Sequence, residues 1–313
     1  MSTNDGDEII SRILHELKCP DLLTNFAALS PSDANSLLMA LYKQITTRLT
    51  PENLLKKYAA NKYAAPGPVA PIPYHALAGE LLTLARTNAF SPISLSPAAL
   101  LGSCSAMASV SQNKIVSALR GTELLSDPTN MLALHIAAGL KDGSLSHGAD
   151  GIHFCAAERV TRVMRSFPKG FYPHFSVFCL VSAGQDRGGY GFECAALRKH
   201  LSLYTSFLKK RGMSEAIVIV LRKRGGYSDP AGFLAAMESA VRDASPDAEI
   251  RLDDNDSENS YYRGLNIKFY IPVAGRPVEL GDMGFVDWTQ KLLGRRKERM
   301  FISAMGMERY IHM

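Results

Sequence analysis

Apolar positions in the first sixty residues recur every three to four places, the spacing of one face of a helix. In "DEIISRILHELKCPDLLTNFAAL" they are Ile9, Ile13, Leu14 and Leu17. The next run, "SPSDANSLLMALYKQITTRL", opens on a Ser-Pro-Ser-Asp start signal and carries Leu37, Leu38, Leu41 and Ile45. A third helix is predicted from Thr50, because "TPENLLKKYAANKYA" sets Pro51 at the favoured first helical position. Residues 1–64 thus read as a small helical domain. The following "APGPVAPIP", residues 65–73, holds four prolines in nine positions and reads as a stiff linker.

Beyond the linker the period switches back and forth between helix and strand. "YHALAGELLTLARTN", "TNMLALHIAAGL" and "GFECAALRKHLSLYTSFLKKRG" predict helices. "FSPISLSP" predicts an extended run, and "KIVSAL" and "PHFSVFCLVSAG" predict strands. "SEAIVIVLRKRGG" reads as a further small α/β element, and "SYYRGLNIKFYIPVAGRPVELGD" as a hairpin turning at Ala274-Gly275. The order implies an α+β fold over residues 74–313, with a mostly antiparallel sheet flanked by helices.

Composition narrows the class. With 46% hydrophobic and 21% charged residues, the 313-residue chain matches an ordinary globular protein. Its net charge of +5 is mild, and the basic runs "GRRKERM", "LRKRGG" and "LKKRG" read as solvated ends of elements. An RNA-binding module would need a contiguous basic face with exposed aromatics, which the sequence does not show. The five cysteines lack C-x-x-C spacing, so neither a disulfide framework nor a zinc site is indicated, and a reducing cytoplasm fits. His153 and Cys155 in "IHFC" have no second pair to complete a metal site. No apolar run is long enough for a membrane span, and "MSTNDGDE" lacks the chemistry of a signal peptide.

The final apolar stretch, "AMGMERYI", has a plain reading in which Met305, Met307 and Ile311 pack inward while Glu308 and Arg309 face water. It also offers an arginine behind a glycine, and a guanidinium can give two parallel hydrogen bonds to phosphate. Two further arginines, Arg162 and Arg165, stand three apart in "RVMRSFPKGFYPHFSVFCLVSAG". Glu193 in "GFECAAL" reads as a first-turn helical acid, His135 as a core or cleft histidine, and "AGQDRGGYGFE" as a loop over the site.

Taken in order, these segments resemble the catalytic domain of a class II aminoacyl-tRNA synthetase, histidyl branch, over roughly residues 70–313. The resemblance implies ATP, with magnesium, held by Arg162, Arg165, Gly306 and Arg309. It implies an amino-acid or small-molecule pocket made by Asp127 and Thr129 of "LRGTELLSDPTN" and Tyr261, Tyr262 and Gly264 of "YYRG"; His174, beside Pro173 and before an alternating strand, reads from its own position as a cleft-facing imidazole that could contact an acidic ligand. Pro97, matching the first signature of that class, implies a homodimer. Several positions depart from the pattern: Met164 replaces an acidic residue, Phe285 in "GFVDWTQKLLG" stands where an arginine is expected, and the acidic "DDNDSENSYY" offers no histidine-specific arginine. Only four residues follow Arg309, so no anticodon-binding domain is expected, nor tRNA charging in the usual way. Two functions follow: an ATP- or amino-acid-binding paralogue that forms an acyl-adenylate if it is catalytic, or a non-catalytic sensor with a protein partner, similar to the synthetase-like regulatory subunit of ATP phosphoribosyltransferase.

Overall fold

The computed structural model describes residues 3–164, 172–213, 217–253, 261–273 and 276–311. Four helices open the chain: α1 (Thr3–Glu16), α2 (Leu22–Ala27), α3 (Pro31–Thr46) and α4 (Pro51–Ala60). Ser30 and Thr50 cap α3 and α4 by accepting from the backbone N–H groups of Asp33 and Asn53, as their start signals predict. The next helix, α5 (Pro71–Thr87), begins inside the proline-rich stretch, with Pro71 and Pro73 in its first turn, where a missing N–H costs nothing.

The core is an eight-stranded sheet. Its strands are β1 (Ser91–Pro92), β4 (Ile152–Thr161), β5 (His174–Gln185), β6 (Val218–Lys223), β7 (Glu249–Asp253), β8 (Arg263–Val273), β9 (Arg276–Val286) and β10 (Glu298–Gly306). They lie in the order β1-β4-β5-β10-β9-β8-β6-β7, antiparallel except at the two edges, where β1 pairs parallel with β4 and β7 parallel with β6. A separate pair, β2 (Ala98–Leu100) and β3 (Thr122–Leu124), precedes α6 (Pro128–Asp142). The α+β expectation holds, and so does the hairpin of β8 and β9, although its turn lies outside the described residues.

"KIVSAL" is not a strand. It makes a single bridge, Ser117 to Glu123, because the chain reverses at Arg120 and Gly121, both at positive φ, before a ladder can grow.

Helices α5, α7 (Gly191–Lys210) and α8 (Pro230–Ala244) cover one face of the sheet and bury Phe178, Met283, Phe285, Phe301 and Met305. On the other face α6, α9 (Trp288–Leu293) and the segment around β2 and β3 cover only the β4–β5–β10 side, over Val177, Cys179, Val181 and Ile302. Toward β9, β8 and β6 this second face stays open, and Glu279, Asp282, Lys268, Tyr270 and Arg222 are half-buried rather than sealed. The boundary between the covered and open parts forms the candidate site. The last helix, α10 (Met307–Ile311), follows β10 directly and packs on α5 and β5.

Candidate functional site

Asp127 caps the N-terminus of α6, with Oδ1 accepting from the backbone N–H of Thr129 at 2.9 Å and from its hydroxyl at 2.7 Å. The other carboxyl oxygen accepts from the Tyr261 hydroxyl at 2.6 Å. Tyr261 in turn stands edge-on to Trp288 and to Tyr262, with ring centroids 5.4 and 4.7 Å apart. Tyr262 is buried and donates to Asp282 of β9. It fits because position 284 is glycine: a Cβ there would lie 2.5 Å from its ring. A continuous polar row therefore runs Thr129, Asp127, Tyr261, Tyr262, Asp282.

Burial, only partly opposed by Lys268, raises the Asp282 carboxyl above the usual carboxylate range. Both phenols are raised as well, by burial first and then by the nearby acids. Lys268, across from Asp282 on β8, pairs with Glu279 at 2.7 Å, and Glu279 also receives the Tyr270 hydroxyl at 3.4 Å.

Arg162, just past the end of β4, lies beside this row. Its Nε donates to the Ser126 carbonyl at 3.0 Å, and its guanidinium sits over the Phe175 ring at 5.2 Å from the centroid. Arg309 and Gly306 stand at the same end of the sheet, across β5 and β10. Gly306 pairs with Val177 while Thr161 pairs with His174, so the two arginines leave neighbouring strand ends. Arg309 points to β9, where Nη1 donates to the Glu279 carbonyl at 2.8 Å and lies 3.9 Å from its carboxylate. Each guanidinium is thus held by a protein oxygen, and half of the Arg309 side chain faces solvent.

Two of the pocket residues expected from sequence lie elsewhere. His174 alternates onto the helix-covered face with Ser176 and Phe178, away from the row. Its Nδ1 accepts from Arg159 at 2.6 Å and its Nε2 donates to the Ala65 carbonyl at 2.8 Å, so it ties the proline-rich stretch to the sheet. Gly264 also belongs to that face. Its φ is +69°, and a Cβ would lie 2.6 Å from the rings of Phe233 and Tyr227, which makes it a close-packing glycine rather than a pocket wall. Arg165 lies outside the described residues. Phe285 packs against Phe301 and Phe233 in the helix-side core, so its backbone position could not bring a guanidinium to the open face.

Sequence reading missed Asp282, Lys268 and Glu279. No local pattern marks them, because Lys268 and Asp282 meet only through the register of β8 on β9. Among the described residues no three His, Cys, Asp or Glu side chains gather to hold a metal ion. Magnesium held through nucleotide phosphates and one or two carboxylates does not require such a cluster.

No protein-family model and no curated protein matches the sequence. Solved structures do match the fold. An ATP phosphoribosyltransferase regulatory subunit/histidyl-tRNA synthetase from Bacillus halodurans C aligns at TM-score 0.59 and 13% identity, over 77% of this chain and 78% of that one. A histidine–tRNA ligase subunit from Alicyclobacillus acidocaldarius aligns at 0.55 and 14% identity, over 78% and 93%. The RNA-binding domain of threonyl-tRNA synthetase from Cryptosporidium parvum Iowa II aligns at 0.56 and 12%, over 75% and 60%. At such identities the likeness is one of fold, and its extension to a threonyl enzyme means that the fold alone does not name an amino acid. The chain has the fold of a class II aminoacyl-tRNA synthetase catalytic core, shared by histidyl and threonyl enzymes and by the regulatory-subunit-like structure alike.

Proposed function

We propose that this chain is a class II synthetase-like paralogue that binds an amino-acid-like small molecule against the Asp127–Tyr261–Tyr262–Asp282 row, and ATP between Arg162 and Arg309. The observation that carries the reading is the junction of Asp127 with Thr129 and Tyr261, beside Arg162. A carboxyl fixed by a helix N-terminus and a phenol is pre-oriented to accept hydrogen bonds from a ligand's ammonium group. Bound ATP would supply the electrophilic α-phosphorus for carboxylate activation. The two arginines would furnish positive charge fixed in advance, where the phosphoryl oxygens gain negative charge. Magnesium would accompany the phosphates. The protein would act as a homodimer and would not charge tRNA in the usual way.

A second reading, a regulatory or sensor protein with a protein partner, is favoured by specific observations. Arg309 is engaged by Glu279, Phe285 occupies the core where an arginine is expected, and Met164 replaces an acid. Titration calorimetry with ATP and a panel of amino acids, followed by ATP–pyrophosphate exchange, separates the two. Binding with exchange supports the enzyme; binding without exchange supports the sensor.

Asp127→Asn keeps a side chain able to cap α6 but removes the charge. It should weaken amino-acid binding roughly tenfold to a hundredfold, the worth of a charge-assisted bond of ~1.5–3 kcal/mol, with little change in melting temperature. Arg309→Ala should do the same to ATP. No binding of either ligand at millimolar concentration would rule out the small-molecule reading.

A further inference from the structure

Most of the large hydrophobic side chains that stand exposed among the described residues lie in the first 63 residues. Helices α2, α3 and α4 bury no residue at all. On α3, Leu37, Leu41 and Ile45 form a stripe 52, 51 and 46% exposed; on α4, Leu54 and Leu55 are 56 and 68% exposed. Such faces normally meet a partner. The lengths point the same way, because helices as short as the 10-residue α4 and the 6-residue α2 are marginal in water without packing.

The arm does touch its own core, where the Asn35 side chain accepts from the Arg120 backbone and the Tyr63 hydroxyl accepts from the Met164 N–H. These are contacts of its polar groups, and they leave the apolar stripes uncovered.

Charge identifies the occupant. In residues 1–29 Asp5, Asp7, Glu8, Glu16 and Asp21 outnumber Arg12 and Lys18; in residues 30–64 Lys43, Arg48, Lys56, Lys57 and Lys62 outnumber Asp33 and Glu52 by the same margin. The arm as a whole is neutral, with an acidic first half and a basic second half. A two-fold axis that runs one arm antiparallel to its copy sets acid against base twice and brings the apolar stripes together. A foreign partner would have to reproduce both halves; a second copy has them already.

We propose that the N-terminal arm, α1 to α4, is a homodimerisation element, with α1–α2 of one chain packed on α3–α4 of the other. The assignment does not depend on the ligand or the catalytic competence of the cleft.

The test uses the full chain in analytical ultracentrifugation at micromolar concentration. Wild type is expected to be a dimer. Lys56→Glu/Lys57→Glu makes the whole arm acidic, and Glu8→Lys/Glu16→Lys makes it basic. Each should raise the dimer dissociation constant by about tenfold or more, while an equimolar mixture of the two should reassemble with an affinity near that of wild type. Leu54→Ser/Leu55→Ser, at positions exposed in the single chain, should raise the dimer dissociation constant by about tenfold or more without lowering the helical content measured by circular dichroism. A monomeric wild type would overturn the proposal. So would a dimer indifferent to the arm variants, which would be held through another surface, or reversed variants that do not recombine.

Discussion

The residue with the strongest demands on its surroundings is Glu123, fully buried on β3. Burial alone would raise its carboxyl, but donors from the Gln112 side chain, the backbone of Gly102 and Cys104, and the Ser103 hydroxyl outweigh this and hold it below 4.5, the ordinary glutamate value. The bonds measure 2.9 Å from Gln112, 2.9 Å from Gly102 and 2.8 Å from Ser103. Because the folded value is depressed, its stabilisation is present above the unfolded value and is lost as pH falls through the folded one. Glu123→Gln places an amide donor among donors and should lower stability at neutral pH by ~1.5–3 kcal/mol. In urea melts the gap from wild type should narrow as pH falls below 4.5; a gap independent of pH would mean that Glu123 is not held as the ion. The carboxyl of Asp282 goes the other way, raised by burial with a phenol as its donor. Two acids of one fold are thus set apart by how many donors face them.

At the scale of elements, Gly264 tests which side of β8 does what. Gly264→Ala forces φ +69° on a residue with a Cβ and drives that atom to 2.6 Å from the Phe233 and Tyr227 rings. The expected loss is about 2–5 kcal/mol, the sum of a left-handed backbone and an overpacked contact. Ligand affinity of the folded fraction should be unchanged, since the contact is on the helix side; a stable variant with weakened binding would return Gly264 to the pocket. Helices α3, α4, α6 and α7 were legible from sequence because each has a start signal or an apolar stripe longer than three turns. The hairpin was legible from alternation. Strand β4 was not identified as a whole, since "IHFCAAERVT" mixes small, aromatic and charged residues as both its faces are partly covered. The start of strand β10 was hidden for the opposite reason: its first residues follow the basic "GRRK", and only contact with β5 and β9 makes them core. In the candidate site, the residues carried by short motifs, Asp127, Thr129, Tyr261 and Tyr262, do come together. Asp282 and Lys268 could not be read, because their proximity follows from strand register, which no local pattern specifies.

For the whole molecule, the question is where the independently folding part begins. Composition set the linker at 65–73, and the structure offers two physical boundaries within reach of it. Upstream, the arm is joined to the core by few polar contacts, among them Tyr63 to Met164 and Ala65 to His174. Downstream, α5 is part of the core: Leu77, Leu81 and Ala85 are buried, and the helix packs on β1, β4, α7 and α10. A fragment beginning at Pro66 should therefore fold, keep the ligand affinity of the full chain, and lose about 1.5–4.5 kcal/mol for the hydrogen bonds that leave with Asn35, Tyr63 and Ala65. It should also be monomeric or a weaker dimer, because the apolar stripes leave with the arm. A fragment beginning at Asn88 loses the buried Leu77, Leu81 and Ala85 that pack on β1, β4, α7 and α10 and should be insoluble or molten, with near-ultraviolet circular dichroism lost. Limited proteolysis of the full chain should cut first between Ala60 and Pro71, and the large product should melt cooperatively. If the fragment from Pro66 also collapses, the arm is a structural cover of the core and not an appendage. If the fragment from Asn88 folds as well as the longer one, α5 contributes less than its buried leucines imply.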